Sequence, residues 1–159
     1  MHDKDIEVTV ENRILRPVGE VFGALVDPAK MAHYFITGAS GPMKAGHTLT
    51  WEFADVGARM SVDVIEVEHD RKIVFDWQAS GEKTRVTIAL EPGDPGTTDL
   101  RLTEAGWALD REGVKRAMGQ QAGWTFTVCC LKAYVQHGIN LRLGTTKRIT
   151  GYNPHAKEE

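Results

Sequence analysis

The side chains best suited to hold a ligand are large, aromatic and regularly spaced. Trp51 and Phe53, Met60, and Phe75 and Trp77 lie in three alternating segments, and Trp124 lies in a later segment of helical period. On one sheet face and a facing helix, these six would line an apolar pocket for a hydrophobic or amphipathic small molecule, or else fill a core. Buried indole nitrogens need partners. Gln121 and Thr125, on the same helix face as Trp124, are the expected suppliers, and Gln121 is alternatively a group that orients the ligand's polar end. With Tyr34, the candidate ligand site is Trp51, Phe53, Met60, Phe75, Trp77, Gln121 and Trp124.

Covalent chemistry finds less to work with. Histidines stand at 2, 33, 47, 69, 137 and 155, and none pairs with another His, Cys, Asp or Glu at a spacing typical of zinc, so no metal site is expected. Ser, His and Asp occur without a nucleophile elbow. Glu52, Asp63 and Asp76 alternate away from the apolar face and read as solvated, so no acid/base pair and no catalytic residue is assigned. Gly41-Pro42-Met43-Lys44-Ala45-Gly46-His47-Thr48 approaches the phosphate-loop pattern, but His47 replaces its lysine and a strand rather than a helix should follow. No cofactor is expected. An enzyme of cyclase or hydratase type is the less favoured alternative, because a single polar group can suffice where a cavity aligns the substrate; Gln121, Tyr34 or His33 would supply it.

The elements that would position these residues follow from periodicity. Ile6, Val8 and Val10 alternate with polar residues, predicting a strand over 6–15. Pro17 suits a first helical turn, Val18, Val21, Phe22 and Leu25 have helical spacing, and a second short helix is predicted over about 28–35. After a Gly-rich loop ending near Gly46, five alternating segments follow with short turns between them, an antiparallel meander with one wet face. Ile65 and Val67 break the alternation and predict a bulge. From about Glu112 to His137 the period is helical, with Asp110 as N-cap and Gly138 as stop. Val114, Ala117, Met118, Gln121, Trp124, Thr125, Val128, Leu131, Lys132 and Val135 form the stripe expected to face the sheet.

The chain has 159 residues, 19 Lys+Arg against 22 Asp+Glu, and a net charge of −3. That balance argues against a nucleic-acid or anionic-membrane partner held by bulk charge. An acidic start without an apolar leader, and only Cys129 and Cys130 as thiols, suit a reducing cytoplasm.

Together these segments resemble the family named for the activator of heat shock protein 90 ATPase, within the START-like (SRPBCC) superfamily. The stretches that carry the resemblance begin with Pro17-Val18-Gly19-Glu20-Val21-Phe22-Gly23-Ala24-Leu25-Val26-Asp27-Pro28 and Met31 through Tyr34-Phe35. Gly46-x-x-Leu49-x-Trp51-x-Phe53, Val64-x-Glu66-Val67 and Arg71-x-Ile73-x-Phe75-x-Trp77 follow. Val86-Thr87-Ile88-x-Leu90-Glu91-Pro92, Gly96-Thr97-x-x-Leu100-x-Leu102-Thr103 and Gly123-Trp124, with Leu131, Tyr134 and Val135, complete the set. The resemblance implies an α+β helix-grip fold over residues 1–138: a curved antiparallel sheet wrapped around a long C-terminal helix, with two short helices after the first strand and an elongated cavity. The aromatic inner face without a catalytic constellation favours non-catalytic binding of a hydrophobic or amphipathic small molecule, and the resemblance implies, alternatively, co-chaperone activity on a chaperone partner. Cys129-Cys130 and the extension 139–159 depart from the family pattern. Phe126, Cys130 and Tyr134 form an apolar back face on the helix. Either the tail residues Ile139, Leu141, Leu143, Ile149 and Tyr152 or a second subunit should cover it, and a homodimer is favoured.

Overall fold

A computed structural model describes residues 6–144. The elements run β1 (Ile6–Ile14), α1 (Val18–Val26), α2 (Pro28–Met31), β2 (Gly38–Ala39), β3 (Thr48–Phe53), β4 (Ala58–Glu68), β5 (Lys72–Trp77), β6 (Thr84–Pro92), β7 (Thr98–Trp107) and α3 (Arg111–His137). The strands form one curved antiparallel sheet in the order β1-β7-β6-β5-β4-β3-β2. Sequential strands pair because their turns are short. The exception is β1, whose partner β7 is last in the chain, so the two ends of the sheet sequence are zipped together.

The alternating pattern decides which residues face inward. On β3, Leu49, Trp51 and Phe53 are buried while Thr48, Thr50 and Glu52 are exposed. On β7, the inward set is Thr98, Leu100, Leu102 and Glu104. The expected bulge lies at Ile65: Val64 pairs with Phe75 and Glu66 with Val74, leaving Ile65 unpaired and turning it outward. A second irregularity skips Gly106, whose φ of 125° and close approach to the backbone of Lys83 and Thr84 admit only glycine.

Two predicted segments differ. The second helix is a single turn, Pro28–Met31, continued by turns to Phe35; Asp27 caps it by accepting from Ala29 N at 3.0 Å. The Gly-rich loop contains a two-residue strand, β2, at the sheet's far edge.

α3 starts where Asp110 Oδ1 accepts from Gly113 N at 2.7 Å and ends at Gly138 in the left-handed region. It lies across the sheet rolled roughly 60° from the expected orientation, taking 100° per residue. Ala117, Trp124, Thr127, Val128, Cys130 and Leu131 are buried, whereas Val114 and Met118, expected inward, face out, Met118 being 68% exposed. Gln121 turns to the edge strand, donating to Thr9 O at 3.1 Å, and Lys132 donates to Asn12 Oδ1 at 3.2 Å.

Part of the back face is covered among the described residues. Cys130 is fully buried, and Phe126 and Tyr134 pack against the core. The residues after α2 cover Tyr134: the His33 ring stacks on it at 5.0 Å and Tyr34 lies 6.0 Å away. After Gly138, Arg142 forms an ion pair with Asp55 in the β3–β4 turn, pinning the chain back across the sheet end. Ile139, Leu141 and Leu143 stay exposed there. Ile149 and Tyr152 lie outside the described residues.

Candidate functional site

The expected aromatic residues do converge. Trp51 and Phe75 are 5.2 Å apart between ring centres, Trp51 and Trp77 5.9 Å, and Trp77 and Trp124 5.4 Å. Phe35 sits between them, 5.4 Å from Trp51 and 5.5 Å from Trp124, and Phe53 touches it at 5.2 Å. Edge-to-face and tilted contacts dominate, the arrangement aromatic quadrupoles favour. Met60 lies opposite Trp51 on β4, half-buried at the margin of this cluster.

The space they enclose is small. Leu25, Tyr34, Trp51, Phe75, Trp124 and Thr127 are among the residues around an interior void of about 20 Å³, room for a single water. The elongated cavity implied by the resemblance is therefore closed in this conformation, with the rings packed on one another. Of the expected site residues, Tyr34, Trp51, Phe75 and Trp124 line the void. Phe53, Met60 and Trp77 stand behind it, and Gln121 lies outside it, beside a shallow apolar groove of about 460 Å³ between β1 and α3. A larger, open hollow of about 1150 Å³ is rimmed by charged residues of β1, β7, β6 and the β4–β5 turn. Those charges are largely consumed in pairs such as Arg13–Asp99 and Arg71–Glu68.

The organising polar group was not expected from the sequence. Glu104 is 0% exposed, at the inward end of β7. Its Oε1 accepts from Trp124 Nε1 at 2.7 Å and Gln120 Nε2 at 3.0 Å. Its Oε2 accepts from Trp77 Nε1 at 2.9 Å and Thr84 Oγ1 at 2.5 Å. Four donors fill the acceptor sites of one carboxylate, and the acceptor-only ionised group is the species they fit. This replaces the expectation that Gln121 and Thr125 serve the indoles; Thr125 Oγ1 instead donates to Gln121 O within its own helix. It also explains the roll of α3. Bringing Trp124 and Gln120 onto Glu104 turns Val114 and Met118 out. The signal was present: Glu104 shares the parity of Leu100 and Leu102.

Asp76 also departs from expectation. It is nearly buried and holds Arg85 through both carboxylate oxygens, at 2.8 and 3.1 Å, and Arg85 is raised above its ordinary pKa by that hydrogen bond and charge. Glu52 pairs with Arg59 at 2.8 Å and Asp63 accepts from Thr48 Oγ1 at 2.8 Å, both at the surface as expected.

Around the void the polar inventory is short. Tyr34 Oη donates to Ala24 O at 2.7 Å, and burial, then the neighbouring Tyr134, pushes its phenol well above the ordinary range. Trp124 Nε1 is held by Glu104. Trp51 Nε1 is different: it is buried, and among the described residues nothing accepts from it. No group of three or more His, Cys, Asp or Glu side chains among the described residues could hold a metal ion. Gln121 and His33, each expected as a polar group that could align a substrate, lie away from the void.

A curved antiparallel sheet gripping one long C-terminal helix, with two short helices after the first strand, is the helix-grip architecture of START-like (SRPBCC) proteins. Residues 16–136 match the family model described as Activator of Hsp90 ATPase homolog 1-like protein, and the chain belongs to that family. Among solved structures it is similar to the protein SSP2350 from Staphylococcus saprophyticus, at 29% identity and a TM-score of 0.75, covering 86% of this chain and 96% of that one. It is similar to DynU16, described as a putative protein in the dynemicin biosynthetic locus, at 29% identity and a TM-score of 0.74 over 86% of this chain; it spans about half of that one, 49%. The Aha1 dimer from Colwellia psychrerythraea shares the fold, at 16% identity and a TM-score of 0.72, over 84% of this chain and 98% of that one. No curated protein sequence matches the chain. No helix among the described residues is long and apolar enough to cross a membrane.

Proposed function

We propose that this domain binds a small apolar or amphipathic molecule between sheet and α3, in the cytoplasm and without transforming it. The single observation behind this reading is Trp51 Nε1. A buried donor left without an acceptor costs about 1–3 kcal/mol, and it belongs to a side chain that lines an interior void whose other lining is mostly apolar. The void admits one water in the closed state, so ligand entry requires the aromatic rings to separate, and α2 with the turns after it is the least regular wall. The similarity to a protein of a biosynthetic locus fits a small-molecule role. A thermal-shift screen of aromatic and lipid-like compounds, with native mass spectrometry of the freshly purified chain, tests this. Stabilisation by at least one compound class, with matching added mass, is expected. A melting point unmoved by every compound and a mass equal to the bare chain would overturn it.

The family description favours a second reading, stimulation of an Hsp90-type ATPase, which an ATPase assay with purified chaperone decides. We place self-association at the seam where Val114 and Met118 stand exposed beside Ile6. Light scattering of the wild type against Met118→Lys across a concentration series reads this directly: a dimer lost in the variant supports the seam, and a monomer throughout refutes it.

A further inference from the structure

We propose that the interior site selects a neutral ligand carrying one hydrogen-bond acceptor, received by Trp51 Nε1, and rejects carboxylates and other anions. This rests on the interior binding proposed above and adds the chemistry of the ligand.

Three indoles belong to the aromatic cluster, and Glu104 divides their duties. Trp77 and Trp124 spend their N–H groups on its two oxygens, so neither can serve a ligand without leaving the carboxylate short of a partner. Of the three, Trp51 alone keeps an uncommitted N–H. Tyr34 is committed to Ala24 O, which leaves Thr127 as the other hydroxyl on the wall. An indole N–H donates and never accepts, so the complementary ligand atom is an acceptor such as a ketone, ether or ester oxygen.

The charge of Glu104 sets the second condition. All four of its hydrogen-bond partners are uncharged, and among the described residues no Lys, Arg or His is paired with it. None of the residues around the void is basic. A ligand carboxylate would therefore enter a low-dielectric interior that already holds one uncompensated negative charge a single indole away, with no cation to meet it. A fatty acid needs the opposite arrangement. A cationic head would be favoured by the field of Glu104, but an ammonium brings donors or methyl groups only and leaves Trp51 Nε1 unmet.

Three probes of one size separate these demands: acetophenone is neutral with one acceptor, ethylbenzene lacks the acceptor, and benzoate carries the charge. Affinities are read by titration of the full chain, wild type and Trp51→Phe, with the folding of the variant checked by its urea midpoint. Acetophenone is expected to bind wild type about tenfold more tightly than ethylbenzene, the worth of one satisfied buried donor. Benzoate should bind more weakly than either. Trp51→Phe should abolish the preference, the ratio of acetophenone to ethylbenzene affinity falling from about ten to about one, whatever the smaller ring does to both affinities in common. Should the variant not fold, indole proton–nitrogen spectra of wild type give the same answer: acetophenone should move the Trp51 cross-peak and leave those of Trp77 and Trp124 in place. Benzoate binding as tightly as acetophenone, or equal affinity for acetophenone and ethylbenzene, overturns the selectivity while leaving interior binding intact. Failure of all three probes, together with a compound screen that finds nothing, removes both.

Discussion

Replacing Glu104 by glutamine keeps the shape of the side chain and changes only what its two terminal atoms can do. One oxygen remains an acceptor for its two donors. The other becomes an amide nitrogen facing two donors that have lost their acceptor. If it replaces Oε2, the partners are Trp77 Nε1 and Thr84 Oγ1; if Oε1, they are Trp124 Nε1 and Gln120 Nε2. In each pair one partner can adapt, because a hydroxyl rotates to accept and an amide flips to offer its oxygen. The other partner cannot, because an indole N–H only donates. Either placement thus strands one buried indole, at about 1–3 kcal/mol. The remaining bonds also lose their charge assistance, which roughly doubles a hydrogen bond's strength. Burying an amide instead of a carboxylate returns part of this. The expected net loss is about 2–3 kcal/mol, a drop of about 1 M in the urea midpoint at unchanged slope. A cycle with Trp77→Phe and Trp124→Phe then identifies the stranded indole: one double mutant should be less destabilised than the sum of its singles by about 1 kcal/mol or more. A Glu104→Gln protein within about 0.5 kcal/mol of wild type would refute the claim that this carboxylate organises the interior.

Other perturbations test other contacts. Arg142→Ala and Asp55→Ala should each cost about 1–2 kcal/mol, with a coupling energy above about 0.5 kcal/mol in their double-mutant cycle, since both side chains are mostly buried; additive effects would show that the chain after α3 is not anchored there. Gly113→Ala should destabilise by more than about 2 kcal/mol, because its Cβ would lie 1.8 Å from Ala108 O, whereas Gly119→Ala, with open space around it, should stabilise by about 0.5–1 kcal/mol. Equal melting temperatures for the two variants would contradict this start of α3. Burial pushes the Cys130 thiol up to about 11. A group raised in the folded state stabilises below its unfolded value, ~8.5, and loses that contribution as pH climbs toward the folded value. Melting temperature should fall from pH 8.5 to 10.5 more steeply in wild type than in Cys130→Ala. In the native protein at pH 8, iodoacetamide should label exposed Cys129 and spare Cys130; equal labelling would refute the burial.

The strands, the bulge at Ile65 and both ends of α3 were legible because each rests on a local signal: period two, a break in that period, a capping aspartate and a terminal glycine. Most of the aromatic cluster was legible for the same reason. What could not be read was how closely the rings approach. Trp51 and Phe75 at 5.2 Å fill space that the pattern alone would equally have left open. The cover over Tyr134 was also illegible, because His33 reaches it only through the tertiary placement of the turns after α2. Glu104 was a different kind of miss. Its parity on β7 was available, but a charged residue on an apolar face reads as the end of the strand's buried stretch unless partners are sought for it.

The buried carboxylate also decides how the helix lies. Hydrophobic patterning treats a helix as oriented by its apolar residues alone, and on that count Val114 and Met118 belong inside. In this protein a polar constraint outranks them. Leaving either exposed forfeits about 1.5–3 kcal/mol of transfer free energy at most. Rolling the helix back would take Trp124 and Gln120 off Glu104 Oε1, while Trp77 and Thr84 on the sheet keep Oε2, so one buried indole and one carboxylate oxygen would be left unmet, at about 1–3 kcal/mol for the neutral group and more for the charge. The two sides are comparable only if both apolar side chains could be fully buried. The sheet prevents that, because the groove beside Ile6 and Val8 is shallow and open. The exposed seam on α3 is therefore a consequence of how the interior is wired. A change that relaxes Glu104 should alter the exposure of Met118 some turns away from the indoles it releases.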